Sequence, residues 1–224
     1  LLRAEKSIGT LGGGNHFIEL QEDEEGYLAV MIHSGSRHFG KSVCDYFHQK
    51  ARALNQKWYS QVPDSFRLAF LPADSPEGRQ YQNWMQLSMD FAAENREKMM
   101  LTVKAILEKW IGKYTDLTLN FSGEINCHHN YAALENHRGK EVWVHRKGAV
   151  EAKNGQRAVI PGAMGSYSYV VMGLGNEESF CSSSHGAGRR YSRKGAMEAF
   201  RCEEVILDLE RQGVVLGKKG KADV

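Results

Sequence analysis

Two long helical stripes occupy the first half of the sequence, with short β-like runs on either side. The first spans about Lys41 to Trp58 and repeats Val43, Phe47, Ala51, Leu54 and Trp58 on one side. The second spans about Gln80 to Ile111 and turns Met85, Met89, Ala92, Met99, Val103, Ile106 and Trp110 inward; its methionines read as core filler. Asn95-Arg96 interrupts this stripe and could reach toward a site, although a solvated face is the simpler reading. Between the helices lies a long loop from Val62 to Gly78, with Pro63, Pro72 and Pro76. The pattern predicts an α+β fold, in which a mixed, β-rich core carries an inserted pair of helices at about 41–112. One domain is expected over residues 1–224.

The β runs are short and end in polar, glycine-punctuated turns. Phe17 to Leu20 reads as a strand; if it begins as early as Asn15, alternation sets Asn15 and Glu19 on one face and His16, Ile18 and Leu20 on the other. Tyr27 to Ile32 is nearly all apolar and predicts a buried strand, ending in His33-Ser-Gly-Ser-Arg37. From Asp116 onward, strands are expected at Leu117–Phe121, Glu124–Tyr131, Glu141–Ala149, Arg157–Ile160 and Ser166–Val171. A last helix is predicted from about Lys194 to Gln212. Side chains at strand ends commonly build sites.

Composition excludes several classes. With 224 residues, 42% hydrophobic and 25% charged, the chain is an ordinary globular sequence that can bury a core. A formal net charge of +2 advertises no polyanion partner, so any nucleic-acid surface must be a local patch. Four cysteines without regular spacing fit a reducing, cytoplasmic compartment better than a disulfide framework. The apolar runs are too short for a signal peptide or membrane span. Leu1 opens the chain without a methionine and Gly217–Val224 is a polar tail, so a fragment of a longer protein is expected.

The histidines carry the chemistry. Nine are present, and His16, His33, His129 and His185 each lie beside glycine or at a strand end. His48, within a helix, and His137, in a polar loop, read as structural, while His38 and His145 are open. Neither H-E-x-x-H nor C-x-x-C occurs, so the common zinc frameworks are absent, and there is no P-loop sequence. Cys181-Ser-Ser-Ser-His185-Gly-Ala-Gly-Arg189-Arg190 sets a histidine among small residues ahead of a cationic run. Such a backbone approaches a ligand closely and its amides can donate to phosphate oxygens. A neutral imidazole there could attack phosphorus while arginines hold the charged oxygens. A glycine-rich turn before a basic surface segment explains that stretch equally well.

Six motifs in order decide between these readings. Asn15-His16, His33-Ser-Gly-Ser-Arg37, Cys127-His128-His129-Asn130-Tyr131, Arg146-Lys147-Gly-Ala, Ile160-Pro-Gly-Ala-Met-Gly165 and Ser184-His185-Gly-Ala-Gly-Arg189 together resemble the RtcB family of RNA-repair and tRNA-splicing ligases. The resemblance runs from Gly9 to the helix after Arg193.

The resemblance implies a manganese- and GTP-dependent ligase. Such an enzyme joins an RNA 3′-phosphate, or a 2′,3′-cyclic phosphate after hydrolysis, to a 5′-hydroxyl. His185 would be the nucleophile that carries GMP, and His16, His33 and His129 the metal ligands. Asn15, Glu19, Pro161, Gly162, Ala163, Met164, Gly165, Ser168 and Gly188 would line the nucleotide. Arg37, Lys147 and Arg189 would contact the phosphates of GTP or RNA. Phosphoryl transfer rewards positioning and charge neutralisation, which this set supplies.

Three departures from the family pattern are expected to matter. The chain does not contain the family's upstream Asp-x-x-Cys metal element or its C-terminal guanine-contacting lysine, and Ala163 stands where a serine is common. Two other readings remain: a nucleotide- or RNA-binding remnant that cannot ligate, and a metal-dependent phosphodiesterase acting on RNA ends.

Overall fold

A computed structural model describes residues 2–60, 62–66, 68–186, 188 and 190–217. The fold is mixed α+β, and the chain divides into two compact units, Leu1–Asn126 and Cys127–Val224. No helix among the described residues is long and apolar enough to cross a membrane.

The first unit holds α1 (Leu2–Glu5), the antiparallel ribbon β1 (Phe17–Glu22) and β2 (Leu28–His33), and the long helices α2 (Arg37–Lys57) and α3 (Pro76–Tyr114). Both predicted helices form, and both begin earlier than the apolar stripe does. Ser75 caps α3, its hydroxyl accepting from the Gly78 amide, and Pro76 takes the first turn, where a missing N–H is harmless. Phe47 and Ala51 of α2 are buried with Ala92 and Met99 of α3. Beyond Met99 the predicted stripe fails: Ile106 and Trp110 are more than half exposed. The buried-strand expectation for β2 also fails. Leu28 is half exposed and no residue of β2 is fully buried, because a two-stranded ribbon covers its residues poorly.

Polar residues close the core of this unit. Asn55 exchanges two hydrogen bonds with the backbone of Phe70, Nδ2 donating to the carbonyl at 2.8 Å and Oδ1 accepting from the amide at 3.0 Å. This pairing fastens the long inter-helix loop to α2. Asn95, predicted to be solvated, is wholly buried. The reason is local: the backbone of two loops reaches α3 there and needs hydrogen-bond partners.

The second unit is the β-rich half. It contains β3 (Asn130–His137), β4 (Lys140–Lys147), β5 (Ala149–Glu151), β6 (Arg157–Ile160), β7 (Tyr169–Met172) and β8 (Ser182–Ser184), followed by α4 (Arg193–Ala199) and α5 (Cys202–Arg211). Its strands pair antiparallel as β3–β4, β5–β8 and β6–β7. Ala132, Val144, Val150, Ala152, Ala158 and Leu209 are buried. Three expectations are corrected. Residues 117–129 form no strand, since apolar alternation makes a strand only where a ladder partner exists. The last helix is two helices, broken where Phe200 turns extended (φ −125°, ψ 143°), with neither glycine nor proline to announce it. His137 ends a strand and is buried, not in a polar loop.

Candidate functional site

In the first unit, the candidate residues gather around the loop Thr10–His16 and the end of β2. Alternation begins at Phe17, so it turns Glu19 inward with Phe17 and Gln21 but does not govern Asn15 or His16. Those two are placed by a turn through Gly12 (φ 90°) and Gly14 (φ 89°). Asn15 is exposed and His16 half-buried. His33 pairs across the ribbon with Phe17, whose ring meets it edge-on at 5.4 Å. The His16 and His33 ring centroids lie 6.2 Å apart.

Hydrogen bonds fix the His16 ring. Its Nδ1 lies 2.9 Å from the Leu11 carbonyl and 3.1 Å from Arg37 Nη1, so both contacts hold the ring by that one nitrogen. Burial, and then the Arg37 charge, hold His16 below the ordinary imidazole range, outweighing the Leu11 hydrogen bond. Burial pushes the Glu19 carboxyl up. Arg37 lies over Gly12, where any Cβ would overlap its guanidinium. It donates to the Leu11 carbonyl (3.0 Å) and the Thr10 hydroxyl (3.2 Å), so its charge also ties down this loop. Arg37 itself has φ 58°, outside the helical range.

Behind this loop stand Asn95 and Arg96, whose break in the apolar stripe leaves open a reach toward a site. Asn95 receives the Thr10 amide at 3.1 Å and donates to the carbonyls of Thr10 and Gly35 and to the Ser34 hydroxyl. Arg96 donates to the Ser34 carbonyl (3.2 Å) and the Asn126 side chain (2.7 Å). Together they bind the turns after Thr10 and His33 to one face of α3. A buried asparagine amid loop backbone is a positional device, and only its break in an apolar stripe signalled it.

In the second unit, His129 and His185 stack with ring centroids 4.1 Å apart and planes inclined by 26°. Strand pairing produces this contact. β5 and β8 align Ala149 with Ser184, which carries His185 to the Gly148 turn at the end of β4. Gly148 (φ 66°) donates to the His129 carbonyl at 2.8 Å and to Asn130 Oδ1 at 3.0 Å. A Cβ there would lie 3.4 Å from the His185 ring, so glycine leaves the imidazole its room. Asn130 Nδ2, 2.7 Å from His129 Nδ1, holds the other ring. Lys147 is exposed at the end of β4.

The Pro161–Ser168 turn folds on itself. Ser168 Oγ accepts from the Gly162 amide (3.0 Å) and Ser166 Oγ from the Ala163 amide (2.7 Å). Gly162 admits no side chain, because the Ser166 and Tyr167 carbonyls occupy that space, and Gly165 packs against Leu209 and Gln212. Met164 stays partly exposed at 44%. Gly188 is exposed with φ 74°. Arg189 lies outside the described residues.

The profile of the family described as "tRNA-splicing ligase RtcB" matches residues 1–224. The chain belongs to the RtcB family. It is 43% identical over 212 residues to the RNA-splicing ligase RtcB of Escherichia coli K12, covering 90% of this chain and 49% of that protein. Against the tRNA-splicing ligase RtcB of Archaeoglobus fulgidus the identity is 36%, over 95% of this chain and 50% of the relative. The RNA-splicing ligase RtcB of Mycobacterium tuberculosis is 32% identical, over 96% and 56%. This RtcB-family chain thus spans about half the length of the curated relatives it matches.

Proposed function

We propose that this chain serves in an RNA ligase that uses GTP and manganese to join an RNA 3′-phosphate, or a 2′,3′-cyclic phosphate after hydrolysis, to a 5′-hydroxyl. The reading treats residues 1–224 as parts of one catalytic domain acting on RNA ends, in tRNA splicing or repair. The observation that supports it most is His185, seated beside His129 and given room by Gly148.

On this reading His185 attacks the α-phosphorus of GTP. A nitrogen–phosphorus bond forms, the bond to the β-phosphate oxygen breaks, and pyrophosphate leaves. GMP then passes to the RNA 3′-phosphate, and the 5′-hydroxyl displaces it. His16, His33 and His129 would hold the metal. The donors fit such an ion: three imidazoles each offer a ring nitrogen, and the Leu11 carbonyl and Arg37 hold the His16 ring from its Nδ1 side. When bound, the metal neutralises phosphate charge. Asn15, Glu19, the Pro161–Ser168 turn and Gly188 would orient the nucleotide, and Arg37, Lys147 and Arg189 the phosphates.

GTP carrying a labelled α-phosphate tests this in a protein of the relatives' full length that contains this sequence. With manganese, an acid-labile, alkali-stable GMP adduct is expected. His185→Ala should abolish the adduct and the joining of ordinary ends, yet still seal an RNA end already bearing GMP. Labelling that survives His185→Ala would place the nucleophile elsewhere. Hydrolysis of a cyclic phosphate without GTP and without any adduct would favour a phosphodiesterase.

A further inference from the structure

The β-rich unit holds a second cluster of metal-ligating side chains, made of residues that the ligase reading leaves unused. His137 closes β3 and is buried; its Nδ1 lies 3.1 Å from Glu177 Oε2 and its Nε2 2.9 Å from Glu135 Oε2. Cys181, also buried, sets Sγ 3.9 Å from Glu177 Oε1. Ligand atoms of His137, Glu177 and Cys181 all fall within 4.8 Å of one another. A tetrahedral ion with bonds of about 2.0–2.3 Å spaces its ligands roughly 3.3–3.7 Å apart. Small side-chain movements would close these three on one ion.

Two further observations favour a ligand over a chance meeting. The far nitrogen of His137 rests on Glu135, and both η nitrogens of Arg146 grip that carboxylate. A carboxylate behind the second ring nitrogen is the outer arrangement that orients ligating histidines and raises their basicity. The backbone beside the thiol is also unusual. Phe180 and Cys181 both take positive φ, 51° and 46°, a region that non-glycine residues seldom enter. Asn176 enforces the bend, its side chain accepting from the Glu178 amide and its carbonyl from the Cys181 amide. The bend turns Sγ back toward Glu177.

We propose that His137, Glu177 and Cys181 form a site for a divalent transition ion of the zinc type, with solvent as a fourth ligand. Glu135 and Arg146 act as its positioning residues. Thiolate, imidazole and carboxylate are the donor types such an ion selects. Binding releases the Cys181 thiol proton to solvent and requires an unprotonated Nδ1, while the other ring proton stays on Nε2 and is donated to the Glu135 carboxylate. Without an ion, the same side chains would be an ion-paired cluster and nothing more.

The test uses the whole 224-residue chain, stripped with a chelator and titrated with cobalt(II). The expected result is thiolate-to-cobalt charge-transfer absorption with the intense visible bands of a four-coordinate ion. Cys181→Ala should remove the charge-transfer band and Cys127→Ala should keep it. Glu177 lies on an exposed turn, so Glu177→Gln should fold normally yet weaken cobalt binding at least about tenfold, since outer contacts alone change affinity ~10–100-fold. A folded protein with no such band, a band that persists in Cys181→Ala, or binding unchanged by Glu177→Gln each overturns the site.

Discussion

Asn95 and Thr10 exchange two hydrogen bonds across 85 residues of sequence: the Thr10 amide donates to Oδ1 at 3.1 Å, and Nδ2 donates to the Thr10 carbonyl at 3.2 Å. The side chain thus imitates a strand partner for a loop that has none. The same amide reaches Ser34 and Gly35, so one buried residue of α3 holds the segments leading into His16 and out of His33.

Asn95→Ala should therefore destabilise the first unit by about 2–3 kcal/mol, because it leaves buried loop groups without partners. Urea denaturation measures this as a lowered midpoint. Asn95→Asp keeps the acceptor for Thr10 but sets an acceptor against the Thr10 and Gly35 carbonyls in a fully buried site, and should cost at least as much as alanine. A loss within ordinary surface scatter would show that water replaces the amide.

Arg37 and Lys147 were read alike from sequence, and their surroundings separate them. Arg37 covers Gly12 and holds the Thr10–Leu11 segment, so Arg37→Ala should cost about 1–2 kcal/mol of stability. Lys147 is exposed, and Lys147→Ala should stay within about 0.5 kcal/mol. Under the proposed function both should weaken binding of RNA 3′-phosphate ends. Parallel thermal melts and RNA-binding titrations of the two variants distinguish the effects.

Gly148→Ala combines a positive φ with a methyl group at the His185 ring. The backbone conformation alone costs roughly 1–2 kcal/mol. Displacement of the imidazole should reduce GMP labelling more than the stability loss explains. Labelling measured well below the melting temperature, where the variant is still folded, checks this.

Arg146 is 3% exposed and pairs with Glu135 through both η nitrogens, while donating to Ser182 Oγ and the Phe180 carbonyl. Arg146→Met leaves the buried Glu135 carboxylate with His137 as its remaining ring partner and should destabilise the second unit by about 3 kcal/mol. Arg146→Met combined with Glu135→Leu should recover much of that loss. A double-mutant cycle by chemical denaturation reads the coupling; additive losses would mean that the two charges are not interdependent.

Local pattern in the sequence determined a good deal. The periods of α2 and α3, the strands β1 and β2, and β4, β6 and β7 of the second unit follow from side-chain spacing, which acts over a few residues. The ordered glycine- and histidine-containing motifs carried the family, because they are features of sequence itself. Tertiary structure decided which polar residues are interior. Asn95, His137 and Arg146 look like surface residues in isolation, yet backbone or carboxylate partners brought from 11 to 85 residues away satisfy them inside. The exposed end of α3, the irregular 117–129 segment and the break before Arg201 were likewise decided by which neighbours arrive. A helix stripe or an alternating run shows that a surface can be buried, and only the packed chain shows what covers it.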